Sequence, residues 1–198
     1  SLGSVIMLAG PRLHGLWHTG WLPFLFLVSC IAMGYAAVVM ESTLSSRAFG
    51  RRREDKMLGS LSGVISGLLF FFVLFRVGDI IVQGKTGLLF GSGLLSVMFW
   101  IETALFLMPA IGMASGRAKS SPGCMFRTSL MIVLGGILYR FDAYLVGFNP
   151  GAGWSYFPSI PEIVITLGLV ALEIMVFILL VKNFPILSGT SPASVEGK

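Results

Sequence analysis

The chain has 198 residues, 55% hydrophobic and 12% charged, with a net charge of +5 and a mean hydropathy of +0.88. A water-soluble domain carries roughly 25% charged residues, so an ordinary cytosolic enzyme is excluded, as are a disordered chain, a coiled coil and a collagen. What remains is a protein solvated by lipid, and its 25 glycines fit, because glycine is commoner in membrane helices than in soluble ones.

Each crossing needs about 20 apolar residues, which gives room for five or six crossings and no large extramembrane domain. Residues 1–10 (SLGSVIMLAG) are too short to cross and look like a helix end. The chain starts at Ser1 without a signal-peptide pattern, so it is expected to be a fragment. PRLHGLWHTGW follows as a loop, giving an outer-face segment over 1–21. Apolar runs at 22–44, 57–82, 88–114, 127–148 and 162–183 then predict five spanning helices. Pro, Gly, Ser and basic residues punctuate the loops between them. The fold class is therefore all-α, a polytopic transmembrane bundle over 22–187. The small polar tail, 188–198, is predicted to be disordered on the cytoplasmic side.

Basic residues orient the bundle. Arg47, Arg51, Arg52, Arg53 and Lys56 crowd the first inter-helix loop, and Arg117, Lys119 and Arg127 the third. Cytoplasmic loops carry such an excess, so the N-terminus lies outside and the C-terminus inside. Topology explains these clusters better than nucleic-acid binding, since Glu54 and Asp55 dilute the first. Trp17, Trp21, Trp154, Tyr156 and Phe157 are placed in an outer aromatic belt.

Ionisable groups inside the spans are the main chemical signal, because each central charge costs about 2.5–3.5 kcal/mol on insertion scales. They are Arg76 and Asp79 on the second run, Glu102 on the third, Arg140 and Asp142 on the fourth, and Glu173 on the fifth. Glu41 sits near the inner end of the first. A rise of about 1.5 Å per residue layers them. Arg76 and Asp79 fall at the outer boundary, where their i, i+3 spacing pairs them locally. Arg140 falls in the outer half, Glu102 and Glu173 near the middle. Neither glutamate has an opposite charge one turn away, so both are predicted to be isolated and ready to relay protons. Glu41, Arg76, Asp79, Glu102, Arg140, Asp142 and Glu173 thus form a candidate proton pathway. The alternative is that Arg–Asp pairs only clamp helices together.

His14 and His18, in the outer loop, suit hydrogen bonding to a carrier better than metal binding. No histidine lies in the five runs. A b-haem usually takes axial nitrogens from helix-borne histidines, so no haem is expected in this chain. Cys30 and Cys124 fall at different membrane levels, which argues against a disulfide, and two thiolates cannot hold an iron–sulfur cluster alone. The glycines of GSLSG and GSG are assigned to close helix packing rather than to a phosphate loop.

SLGSVIMLAGPRLHGLWHT, LPFLFLVSCIAMGYAAVVMES, RVGD and LYRFDAYLVGFNPGAGWSYFPSIPEIVITLG together resemble the NrfD/polysulfide-reductase family of membrane subunits. The branch they resemble serves periplasmic nickel–iron hydrogenases. The resemblance implies the second half of a subunit with eight to ten crossings in a bacterial or archaeal inner membrane. It implies electron passage between a periplasmic iron–sulfur subunit and menaquinone or ubiquinone, with proton translocation an open matter. It also implies a haem-free subunit, with hydrogenase or other oxidoreductase subunits as partners. His14 and Glu41 are the positions carried over as quinone-binding, Glu41 also as part of a proton route. Two other readings compete on the residues alone: half of a proton-coupled secondary transporter, and a passive anchor for periplasmic enzymes.

Overall fold

In the computed structural model, residues 2–8, 12–49, 55–91, 93–116, 121–149, 151 and 158–183 are described. They are helical almost throughout. The elements are α1 (Leu2–Met7), α2 (Leu22–Phe49), α3 (Asp55–Val82), α4 (Thr86–Leu89), α5 (Leu94–Ala114), α6 (Pro122–Phe141), a π-helical turn (Asp142–Val146) and α7 (Ile160–Asn183). Five helices are long and apolar enough to cross a membrane: α2, α3, α5, α6 with its π turn, and α7. The chain divides into two compact units, Ser1–Ser155 and Tyr156–Lys198.

In the first unit, α2 packs on α3 and α6, and α5 packs on α3 and α6. The four helices therefore close a ring in the order α2, α3, α5, α6. Phe72, Phe99, Phe106, Ile132 and Tyr139 fill its centre. Large apolar side chains also cover the outside, among them Val64, Leu74 and Ile137. A helix apolar all round suits a bundle whose solvent is hydrocarbon.

Local chemistry sets the ends. Ser121 caps α6, its hydroxyl accepting the Cys124 N–H at 3.1 Å, and Pro122 opens the helix where no N–H is needed. This starts the helix at 122 rather than 127. The third run is not one helix from 88. Extended backbone at Gly93 separates α4 from α5, which starts at Leu94. Gly84 ends α3 and Gly116 follows α5 with φ of +68° and +72°, where a side chain would strain the backbone.

Residues 12–21 fold back over the end of the ring. The His14 N–H donates to the Gly147 carbonyl at 2.7 Å and the Asn149 N–H to the Arg12 carbonyl at 2.8 Å, with Leu13 and Phe148 paired between them. Trp17 is 1% exposed, so it is a core residue and not part of a headgroup belt. Trp21 is exposed. Close glycine packing falls elsewhere than expected. A Cβ on Gly59 or Gly63 would meet nothing, whereas one on Gly136 would collide with Met33 and one on Gly147 would come within 2.9 Å of Trp17. Arg51–Arg53, Arg117, Lys119, Trp154, Tyr156, Phe157 and the tail 188–198 lie outside the described residues.

In the second unit, α7 presents apolar side chains on every side, and its one mid-helix acid, Glu173, is exposed within that unit.

Candidate functional site

The site begins with an arginine that lipid will not solvate. Arg76, near the end of α3, is 5% exposed and reaches to Glu102 on the neighbouring α5, which is 0% exposed. The guanidinium engages both carboxylate oxygens, Nη1 on Oε1 and Nη2 on Oε2, the latter at 3.1 Å. Two parallel charge-assisted bonds are the geometry in which arginine holds a carboxylate best. The guanidinium also stacks between the rings of Phe99 and Tyr139, 4.5 and 4.7 Å from their centroids. Trp17 completes the carboxylate's shell, its indole N–H donating to Oε2 at 3.3 Å. The folded-back segment thus reaches the ion pair directly.

Glu102 is therefore not isolated, and Arg76 does not pair with Asp79. Asp79 instead accepts a bond from the Gln83 side chain on the helix surface at 2.6 Å. The depths were misjudged with the helix boundary. Counted from Leu94, where α5 begins, Glu102 lies about 12 Å along its helix, and it meets Arg76 at one level.

Asp142 opens the π turn, one helical turn beyond Tyr139 on the same face. It is 0% exposed, and neither carboxylate oxygen has a hydrogen-bond partner. Its backbone carbonyl takes the Gly147 N–H at 2.6 Å, which fixes the return of the chain towards His14. Arg140 reaches towards α2. It donates to the Gly136 carbonyl at 2.8 Å, Met33 Sδ at 2.9 Å, Cys30 Sγ at 2.9 Å and Ser29 Oγ at 3.4 Å. It also lies 5.4 Å over the Phe26 ring.

His14 is half-buried in the folded-back segment, its ring 5.9 Å from that of Trp17. Burial, and secondarily the Lys85 ammonium, hold its imidazole below the ordinary histidine range. His14, Trp17, Glu102, Arg76, Tyr139 and Asp142 form one continuous cluster at this end of the ring. Glu41 is not part of it. It is exposed on α2, 19 positions past Leu22, or about 28 Å further along the helix. Trp17 and Tyr139 are the members that sequence reasoning missed. The signal for a partner was present, since a buried cation demands one, but spacing along one helix cannot reveal a partner on another.

A closed ring of lipid-facing helices, capped at one end and locked by a buried Arg–Glu pair, defines a multi-pass membrane protein. Among the described residues no group of His, Cys, Asp and Glu suits a metal ion. The chain belongs to the polysulphide reductase, NrfD family, whose profile matches residues 7–147. It is 36% identical over 190 residues to the "Probable Ni/Fe-hydrogenase 2 b-type cytochrome subunit" of Escherichia coli (strain K12), covering 94% of this chain and 48% of that protein. It is 27% identical over 199 residues to a protein of Nitratidesulfovibrio vulgaris (strain Hildenborough), covering 94% of this chain and 50% of the relative. The chain thus spans about half the length of the curated relatives it matches. No solved structure matches it.

One expectation is overturned here. The absence of helix-borne histidine led to a haem-free assignment, yet the E. coli relative is named a b-type cytochrome subunit, which points to haem. The inference failed because it counted histidines in about half of the length to which such a name applies. The two histidines lie on the folded-back segment, and His14 Nδ1 faces the Leu16 N–H at 3.4 Å.

Proposed function

We propose that this chain is the ring-forming part of a membrane subunit of a respiratory redox complex. In this reading the subunit passes electrons between a periplasmic iron–sulfur subunit, of a nickel–iron hydrogenase, and the quinone pool. The carrying observation is the 36% identity to a hydrogenase membrane subunit over 94% of the chain. The capped end of the ring supports it. A half-buried imidazole held neutral can donate one hydrogen bond to a quinone oxygen, or accept one from a quinol hydroxyl, without placing a charge in the membrane. His14 is the residue proposed to contact the carrier, with Trp17 positioning Glu102 behind it. Glu41, Arg76, Asp79, Glu102, Arg140, Asp142 and Glu173 are proposed as proton-handling positions, with Glu41 towards the opposite end of α2. The basic loops would face the cytoplasm and the His14 end the periplasm, in an inner membrane.

The test is affinity purification of the full-length subunit from its native membrane. The proposal expects co-purifying iron–sulfur and hydrogenase subunits and extractable quinone. Substrate flux in liposomes without redox partners would instead favour a transporter. Full quinone-linked activity with every buried carboxylate neutralised would favour a passive anchor.

A further inference from the structure

The cluster contains two buried carboxylates and one buried guanidinium. Glu102 and Asp142 are each 0% exposed, and Arg76, at 5%, serves only the first of them. Asp142 lies within electrostatic reach of both. The remaining groups facing it are accounted for element by element. α6 and the π turn contribute Tyr139 and Tyr144, whose hydroxyls also lack partners. α2 contributes the Phe26 ring, which contacts both tyrosines. The folded-back segment contributes His14 and Trp17, of which His14 bonds Gly147 through its backbone. Among the described residues no second cation faces Asp142, since Arg140 is turned onto Ser29, Cys30 and Met33.

A lone negative charge in such a place is costly, because neither water nor a cation offsets it. Two ionised carboxylates against one arginine would leave such a charge. We infer that Glu102, Asp142 and Arg76 form a single-proton storage site, in which Arg76 pairs with one carboxylate while the other holds the proton. The geometry supplies the means of exchange. Arg76 already stacks on Tyr139, and Asp142 stands three residues along on that face. In this proposal the guanidinium moves along the tyrosine ring from one carboxylate to the other. The step balances: the Asp142 carboxyl releases its proton, Arg76 moves to the resulting carboxylate, and Glu102 takes a proton up. Net charge within the cluster is the same before and after. The inference deepens the proton-handling role proposed above for these three residues and does not depend on the carrier being a quinone.

Infrared difference spectroscopy of the full-length subunit in its complex tests it. The spectra compare the parent with Asp142→Asn and with Glu102→Gln, in the carbonyl-stretch region of protonated carboxylic acids. Storage of one shared proton predicts that each variant loses the same single band, because the surviving carboxylate becomes the ionised partner of Arg76. Glu102→Asp, which keeps both carboxylates, should retain one band and serves if the amide variants fail to fold. A band lost in Asp142→Asn but kept in Glu102→Gln would mean that Asp142 is protonated independently, and would overturn the inference. So would identical carbonyl regions in all four proteins.

Discussion

Replacing Arg76 by Met tests the energetic centre of the ring. The substitution keeps the length and apolar stem of the side chain but removes the guanidinium. It strips Glu102 of both its charge-assisted bonds, leaving the Trp17 N–H at 3.3 Å. It also removes the contacts with Phe99 and Tyr139. Breaking one side of a buried pair typically costs about 3–5 kcal/mol, and the two cation–π contacts fall within that figure. Glu102→Gln should cost less, about 1–2 kcal/mol, because Asp142 offers Arg76 a second carboxylate. In Arg76→Met combined with Glu102→Gln and Asp142→Asn, no charge remains buried. That triple variant should recover to within about 1–2 kcal/mol of the parent, as apolar or neutral replacements of buried pairs often do. Reversible unfolding of the full-length subunit in mixed micelles, by detergent titration, gives the four values. A triple variant less stable than Arg76→Met alone would refute the claim that the three side chains act as one electrostatic unit.

Gly147→Val should loosen the cap, since a Cβ there would lie 2.9 Å from the Trp17 ring and 3.0 Å from the Asp142 carbonyl. A cost of about 1–3 kcal/mol is expected, with faster backbone hydrogen exchange across residues 12–18. The Lys85→Gln variant should raise the His14 pKa towards the ordinary value, while burial keeps it from reaching that value. Labelled-imidazole NMR follows this titration. With a depressed folded pKa, the cap should weaken as pH falls through the ordinary histidine range, because the unfolded imidazole then binds protons that the folded one resists. For topology, cysteine at exposed Asn149 should react only from the periplasmic side and cysteine at Ser115 only from the cytoplasmic side. Asn149 is preferable to Gly151, whose φ of +121° a side chain would strain.

Apolar run length made the five membrane-length helices legible, because lipid demands about 20 residues per crossing whatever packs inside. Family membership was legible in long ordered motifs such as RVGD and LYRFDAYLVGF. The wiring of the charges was not. Local spacing favoured Arg76 with Asp79, but the ring brings Glu102 to Arg76 from another helix and leaves Asp79 to Gln83. The break at Gly93 shifted every depth counted along the third run. Trp17 looked interfacial because Trp commonly is, whereas backbone pairing of His14 with Gly147 folds its ring over the bundle. The haem expectation failed for another reason: it counted histidines over about half the length of the relative whose name points to haem.

In the proposed function, the capped end of the ring meets the electron carrier. The most direct measurement is the ratio of quinone-linked to artificial-dye turnover in the assembled complex carrying His14→Ala. Dye reduction bypasses the membrane step, so the ratio isolates it. The ratio should fall about 100-fold or more, as expected for loss of a positioned proton-transfer group, with dye turnover unchanged. An unchanged ratio in a fully assembled complex would contradict it.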